Sequence, residues 1–225
     1  APGSGTSWSS HRPPCAEPIV DEARADRQRH WTGARRSGTT GAGASKQVVD
    51  PTTPARVLLL TGLPGVGKTT VIRAVPPLLL GSRLSGFTTE EIREAGRRLG
   101  FRGTTLDGHE TIIAHVSFPG PERVGRYGVD VRAIDELALA LDPQRGADTY
   151  LVDEVGKMEC LSSAFVAAVR TLLAARGRLG ATVAARGGGL IAEVKAHPGA
   201  VLWQVTHANR SSLPAEVAAW ARAAR

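Results

Sequence analysis

From Arg56 onward, short apolar runs alternate with stretches whose apolar residues recur at helical spacing, the pattern of an α/β domain. Val57 to Leu60 is continuously apolar and reads as a buried strand. The next helix starts at Lys68 and is expected to end near Ala74, because Pro76 and Pro77 remove donors and clash with the preceding turn. Between Gly86 and Leu106 two strand-like runs flank Gly96-Arg97-Arg98, which predicts a hairpin. Thr111 to Val116 forms another strand. Asp130 is the expected N-cap of a helix reaching Leu141, and Ser162 that of a helix over Ala164 to Ala175. Thr149 to Val152, Leu179 to Ala184 and Val201 to Val205 predict three more short strands. A helix from Pro214 to Ala224, with proline in its first turn, closes the pattern.

Residues 1–54 lack both periods. They are rich in Gly, Pro, Ser, Thr and Arg, as in Ser37-Gly38-Thr39-Thr40-Gly41, and are expected to form a disordered tail ahead of one folded domain over 55–225. A short helix over Val20 to Arg29 has too few apolar residues to dock firmly. Glu17, Asp21, Glu22, Asp26 and Asp50 argue against a presequence, which would be poor in acids. The chain opens at Ala1 and its single methionine is Met158, so Ala1 is not expected to be a translation start.

Composition narrows the picture modestly. A 225-residue chain that is 42% hydrophobic supports one sizeable core. The formal net charge of +7 comes from arginines scattered among acids, without a basic block, and only 4% of residues are aromatic. That balance suits an anionic small ligand better than nucleic acid, whose single strands need stacking platforms. No apolar run approaches the roughly 20 residues that span a bilayer, and Cys15 and Cys160 do not make a disulfide framework. A soluble, cytoplasmic protein is the expectation. His109, His115, His197 and His207 show no metal-ligand spacing.

Directly behind the first strand runs Gly62-Leu63-Pro64-Gly65-Val66-Gly67-Lys68-Thr69-Thr70. Glycines let such a backbone curl until successive N–H groups face phosphate oxygens, with a helix N-terminus beneath them. Lys68 can then reach the β- and γ-phosphates, and the Thr69 hydroxyl can ligate the Mg²⁺ that they carry. The second signal is Leu151-Val152-Asp153-Glu154, an apolar strand ending in two acids, 85 residues beyond Lys68. In a doubly wound sheet a strand next to the first brings both motifs to one edge. Asp153 is then placed to join the magnesium shell and Glu154 to orient or deprotonate the attacking water. Phosphoryl transfer also needs cations on the developing charge. Arg93, Arg97, Arg98, Arg126, Lys157 and Arg210 are candidates, with Lys157 best placed by sequence and Arg210 at the ligand edge after the last strand.

Several stretches together resemble the cancer-related nucleoside-triphosphatase family. They are Thr61 to Thr70, Gly86-Phe87-Thr88-Thr89-Glu90-Glu91-Ile92-Arg93, Gly96-Arg97-Arg98-Leu99-Gly100-Phe101, Val124-Gly125-Arg126-Tyr127-Gly128-Val129-Asp130, Val152-Asp153-Glu154-Val155-Gly156-Lys157-Met158-Glu159 and Asn209-Arg210. The resemblance covers Arg56 to the C-terminus and implies a P-loop three-layer α/β sandwich, with a mostly parallel central sheet and an inserted β-hairpin. It also implies Mg²⁺-dependent hydrolysis of nucleoside triphosphates such as ATP and GTP, with loose choice of base. Carried over by position, Gly62 to Thr69 hold the triphosphate, Asp153 the magnesium and Glu154 the water. Leu63 stands where the family has a proline, Pro76-Pro77 interrupts a helix that the family continues, and Ala184 to Gly189 lacks its prolines. A small P-loop kinase and a nucleic-acid-associated ATPase or switch remain as alternatives from the residues alone.

Overall fold

The computed structural model describes residues 55–223; the readings of residues 1–54, including Cys15 and the Val20 to Arg29 helix, lie outside them. The first strand, β1 (Val57–Thr61), is buried along its whole length. Its alternate residues enter different cores, Val57 and Leu59 on one face of the sheet and Leu58 and Leu60 on the other. Such two-sided burial requires helices on both faces. On the Leu58 side lie α1 (Lys68–Arg73) and α5 (Leu213–Arg222), which contribute Val71, Ile72, Leu213 and Val217. On the Leu59 side lie α2 (Val131–Ala138), α3 (Ser163–Ala174) and α4 (Leu190–Ala196), through Ile134, Leu137, Phe165, Val169 and Val194. The three-layer α/β sandwich is thus present.

Nine strands among the described residues form one sheet. Five run parallel, in the order β2 (Leu84–Glu94), β7 (Thr149–Val155), β8 (Arg178–Val183), β1 and β9 (Ala200–Gln204). Beyond β2 the sheet continues antiparallel through β3 (Arg97–Thr105), β4 (Glu110–His115), β6 (Tyr127–Val129) and β5 (Arg123–Val124). The acid-bearing strand β7 is not next to β1, contrary to the expectation. β8 lies between them, so the P-loop and the acids flank a strand that the sequence left without a role.

Local signals account for most boundaries. The helix after the P-loop stops at Arg73 and gives way to a 3₁₀ turn over Pro76–Leu78, where the two prolines supply the fixed φ. The Asp130 carboxylate accepts from the Arg132 and Ala133 N–H groups at 3.0 and 3.2 Å, and Ser162 Oγ accepts from Phe165 N–H at 2.8 Å, as N-caps do. The hairpin turns at Ala95-Gly96, whose φ of 45° and 76° match a tight two-residue loop, so Arg97 and Arg98 belong to β3. The sequence reading omits β5, β6 and α4. Two strands of two and three residues and a seven-residue helix are too short to express a period.

Candidate active site

At the C-terminal end of the parallel strands, the P-loop bends through Gly65 and Gly67, whose φ of 75° and 106° belong to the left-handed region. Gly67 caps α1, and Val71 N–H bonds back to its carbonyl at 3.0 Å. Gly62 is fixed by close approach instead: a Cβ there would lie 2.7 Å from the Val205 carbonyl oxygen. Leu63 is 73% exposed, which explains why leucine is tolerated at this position, and Val66 is buried in the α1 and α5 core. Lys68 Nζ reaches across the loop to the Gly62 carbonyl at 3.5 Å.

A cavity of about 510 Å³ opens here, within the range of small-molecule sites. Its walls include Gly62, Pro64, Gly65, Gly67, Lys68, Thr69 and Thr70 from the loop, with Thr89, Arg98 and Glu154 opposite. An equally large cleft lined by Phe118, Val131 and Arg132 shares none of these residues.

The two acids are treated differently by their surroundings. Glu154 faces the cavity, half-buried at the end of β7. Burial pushes its carboxyl above the ordinary range; the Lys68 charge opposes that shift and the neighbouring Asp153 adds to it. Asp153 is 1% exposed. Its Oδ2 accepts from Thr89 Oγ1 of β2 at 3.0 Å, and its Oδ1 from Thr182 Oγ1 of β8 at 2.5 Å. The carboxylate is therefore clamped between the strands on either side of β7, beneath Thr89 rather than in the cavity wall. Leu151 and Val152, expected at the nucleotide site, are fully buried in the two cores on opposite faces of the sheet. They anchor β7 and touch no part of the cavity.

Of the six candidate cations, only Arg98 lines this cavity. One Arg98 Nη donates to Glu91 Oε1 at 2.5 Å, and its guanidinium lies 5.5 Å from the centre of the Phe101 ring. Its Nε is buried and has no hydrogen-bond partner among the described residues. Arg93 is taken up by Glu91 at 2.5 Å and Arg126 packs 5.1 Å from the Tyr127 ring. Arg97 sits exposed at the tip of the hairpin. Arg210 lies against the P-loop, where a Cβ on Gly67 would be 3.3 Å from its Cδ. Lys157 is exposed and lines a different, smaller cavity on the far side of Glu154.

Four contributors were missed by sequence reasoning. Thr182 is the polar side chain on a strand otherwise apolar from Leu179 to Val183, and that contrast was an available signal. Thr89 stood in a quoted motif without a role. Lys195, on the overlooked α4, donates to the carbonyls of Ala184 and Ala185 at 2.6 and 2.9 Å and so pins the loop at the cavity rim. Glu159 is 6% exposed, with its carboxyl tucked so closely against the loop that a Cβ on Gly156 would lie 2.8 Å from Oε2. Burial pushes its pKa up to about 8, and the charges of Glu154 and Asp153 reinforce the shift.

A sequence profile of the family described as NTPase matches residues 57–218, nearly the whole described region. The chain belongs to this nucleoside-triphosphatase family. Among relatives of the family, the nucleoside-triphosphatase THEP1 of Thermotoga petrophila is 40% identical over 162 residues, covering 71% of this chain and 89% of that protein. The human cancer-related nucleoside-triphosphatase is 35% identical over 190 residues, covering 76% and 99%. The crystal structure of THEP1 from Aquifex aeolicus superposes with a TM-score of 0.67 at 35% identity, covering 74% of this chain and 99% of that one. The match to the family begins at β1, so the family's share of the chain excludes residues 1–54.

Proposed function

We propose that the protein hydrolyses nucleoside 5′-triphosphates to the diphosphate and phosphate, with Glu154 activating the attacking water. The observation that carries this reading is that Lys68, Thr69 and Glu154 line one cavity, so a phosphate cradle and a carboxylate base face the same space. Names of relatives at 35–40% identity point to the same reaction class.

The P-loop amides and Lys68 bind the β- and γ-phosphates. Glu154 accepts a hydrogen bond from a water in line with the γ-phosphorus and takes its proton as the oxygen attacks. Burial raises its proton affinity, which makes it a stronger base, and the Lys68 charge opposes that shift. Arg98 lies on the wall opposite the loop and supplies positive charge for the oxygens of the transferred group. Such a group has little covalent help to receive, and its barrier falls mainly through positioning and charge.

A divalent cation fits the donors present. Thr69 offers a hydroxyl in the cavity wall, and Asp153, just behind that wall with its two oxygens held by threonines, would act on the ion through a bound water, in keeping with the oxygen ligands that Mg²⁺ prefers. No cluster of three or more His, Cys, Asp or Glu side chains among the described residues could hold a metal alone. The ion is therefore expected to arrive with the nucleotide, and it supplies charge neutralisation of the phosphates.

P-loop contacts are to phosphate and do not select a base, so ATP and GTP are both substrates in this reading. The test is phosphate release from each common nucleoside triphosphate with magnesium and no second substrate, by the wild type and by Lys68→Ala. Release from several triphosphates by the wild type and its collapse in the variant is the expected outcome. Release that is undiminished in Lys68→Ala contradicts it.

A further inference from the structure

Glu154 has two faces. One meets the P-loop cavity, and the other closes a second cavity of about 210 Å³ that reaches toward β3, β4 and the loop after β7. The two spaces share Thr89, Phe101, Glu154 and Ala184. A single attacking water occupies about 30 Å³. Hydrolysis leaves most of the second chamber without a use.

The lining defines what would fit. Phe101, Ile113, Val124 and Met158 make its apolar surface, and Glu154 and Glu159 its acidic one. No arginine lines it, and its single cation, Lys157, is exposed. Two carboxyl groups and a hydrocarbon wall disfavour a phosphorylated or carboxylated occupant. Burial favours the protonated form of Glu159, which can donate to or accept from a neutral hydroxyl. Engineered apolar cavities of roughly 150 Å³ hold a molecule the size of benzene, so this chamber accommodates about six to ten heavy atoms.

We propose that this chamber binds a small neutral alcohol whose hydroxyl replaces water at Glu154, so that the enzyme transfers the γ-phosphoryl group to it. The inference rests on the reading of Glu154 as the base. The alcohol oxygen forms a bond to the γ-phosphorus while the bond from that phosphorus to the β,γ-bridging oxygen breaks. The hydroxyl proton passes to Glu154, the nucleoside diphosphate leaves with the bridging-oxygen electrons, and the product is a phosphate monoester. Water attack is then the default when the chamber holds only solvent.

The test uses the full chain with ATP and magnesium, first without and then with a panel of neutral alcohols of about six to ten heavy atoms, among them glycerol, cyclohexanol and benzyl alcohol. Phosphorus NMR measures inorganic phosphate and phosphate monoester together. The expected result is monoester from at least one alcohol, in a share above the molar ratio of alcohol to water. Val124→Phe narrows the chamber without touching the P-loop, and is expected to lower the monoester-to-phosphate ratio by about tenfold, a loss of roughly 1.4 kcal/mol in preference for the alcohol. Because that ratio does not depend on how much protein is folded, a poorly folding variant still reports. Phosphate as the sole product across the panel overturns the proposal, as does an unchanged ratio in Val124→Phe. Lack of phosphate release in the alcohol-free arm instead overturns the hydrolase reading on which it rests.

Discussion

Thr182 Oγ1 donates to Asp153 Oδ1 at 2.5 Å, and this contact ties β8 to the acid that stands beside the catalytic candidate Glu154. Both residues are essentially inaccessible, at 0% and 1% exposure. A carboxylate so deeply placed depends on its donors, since an unpaired buried charge is expensive. The strand between the P-loop and the acids thus fixes the orientation of Asp153.

Thr182→Val keeps the shape and removes the donor. The expected loss of stability is about 1–3 kcal/mol, the cost of an unsatisfied buried acceptor. The magnesium concentration for half-maximal phosphate release should rise by about 10- to 100-fold, as for other supporting contacts to metal-site carboxylates. Thermal unfolding and a magnesium titration check both parts, and Thr182→Ser is expected to retain most of the wild-type behaviour. An unchanged magnesium requirement in Thr182→Val would remove Asp153 from the metal site.

Arg98 is the cation that geometry selects from six. Arg98→Ala should lower kcat by about 10²- to 10³-fold with a smaller change in KM, because charge on the transferring group matters most in the transition state. Arg98→Lys is not expected to restore the rate, since an ammonium cannot reproduce the planar donor fork. Steady-state kinetics of both variants separate this role from simple ground-state binding, which would appear as a KM effect.

Much of this arrangement was legible in the chain, and the reasons for what was not are physical. The P-loop is written in glycines whose backbone angles it needs, and Asp130 and Ser162 act on N–H groups two or three residues away. Such devices are local in sequence. The position of β8 between β1 and β7 is not local, so the polar contrast at Thr182 marks the residue without naming Asp153 as its partner. Arg98 and Arg93 look alike in sequence. They are paired across the hairpin and both engage Glu91, so they share a face of the sheet, and only Arg98 borders the cavity. α4 follows Gly187-Gly188-Gly189 and has only seven residues, so its Lys195 was invisible as a support of the cavity rim.

Glu159 carries a pH signature. Its carboxyl holds its proton to a pH of about 8 in the folded chain, against an ordinary value of 4.5. The folded state therefore binds more protons than the unfolded state between these values, and stability falls as pH rises through that window. The contribution is complete below pH 4.5 and lost above about 8. Glu159→Gln mimics the protonated acid at every pH. The variant should match the wild type near pH 5 and exceed its stability near pH 9 by a few kcal/mol, on the order of magnitude that such a shift represents. Denaturant unfolding at the two pH values gives the difference directly. A gap that does not change with pH would mean that Glu159 is ionised in the folded protein.

In the proposed reaction Glu154 activates the nucleophile rather than binding the nucleotide. Glu154→Gln preserves size and hydrogen bonding but cannot take a proton. Single-turnover phosphate release from ATP by this variant, measured alongside its affinity for ATP, tests the claim most directly. A base at this position gives affinity within a few-fold of wild type and release slowed by about 10²- to 10⁴-fold, the usual worth of a general base. Release at the wild-type rate from a variant that binds ATP normally would contradict it.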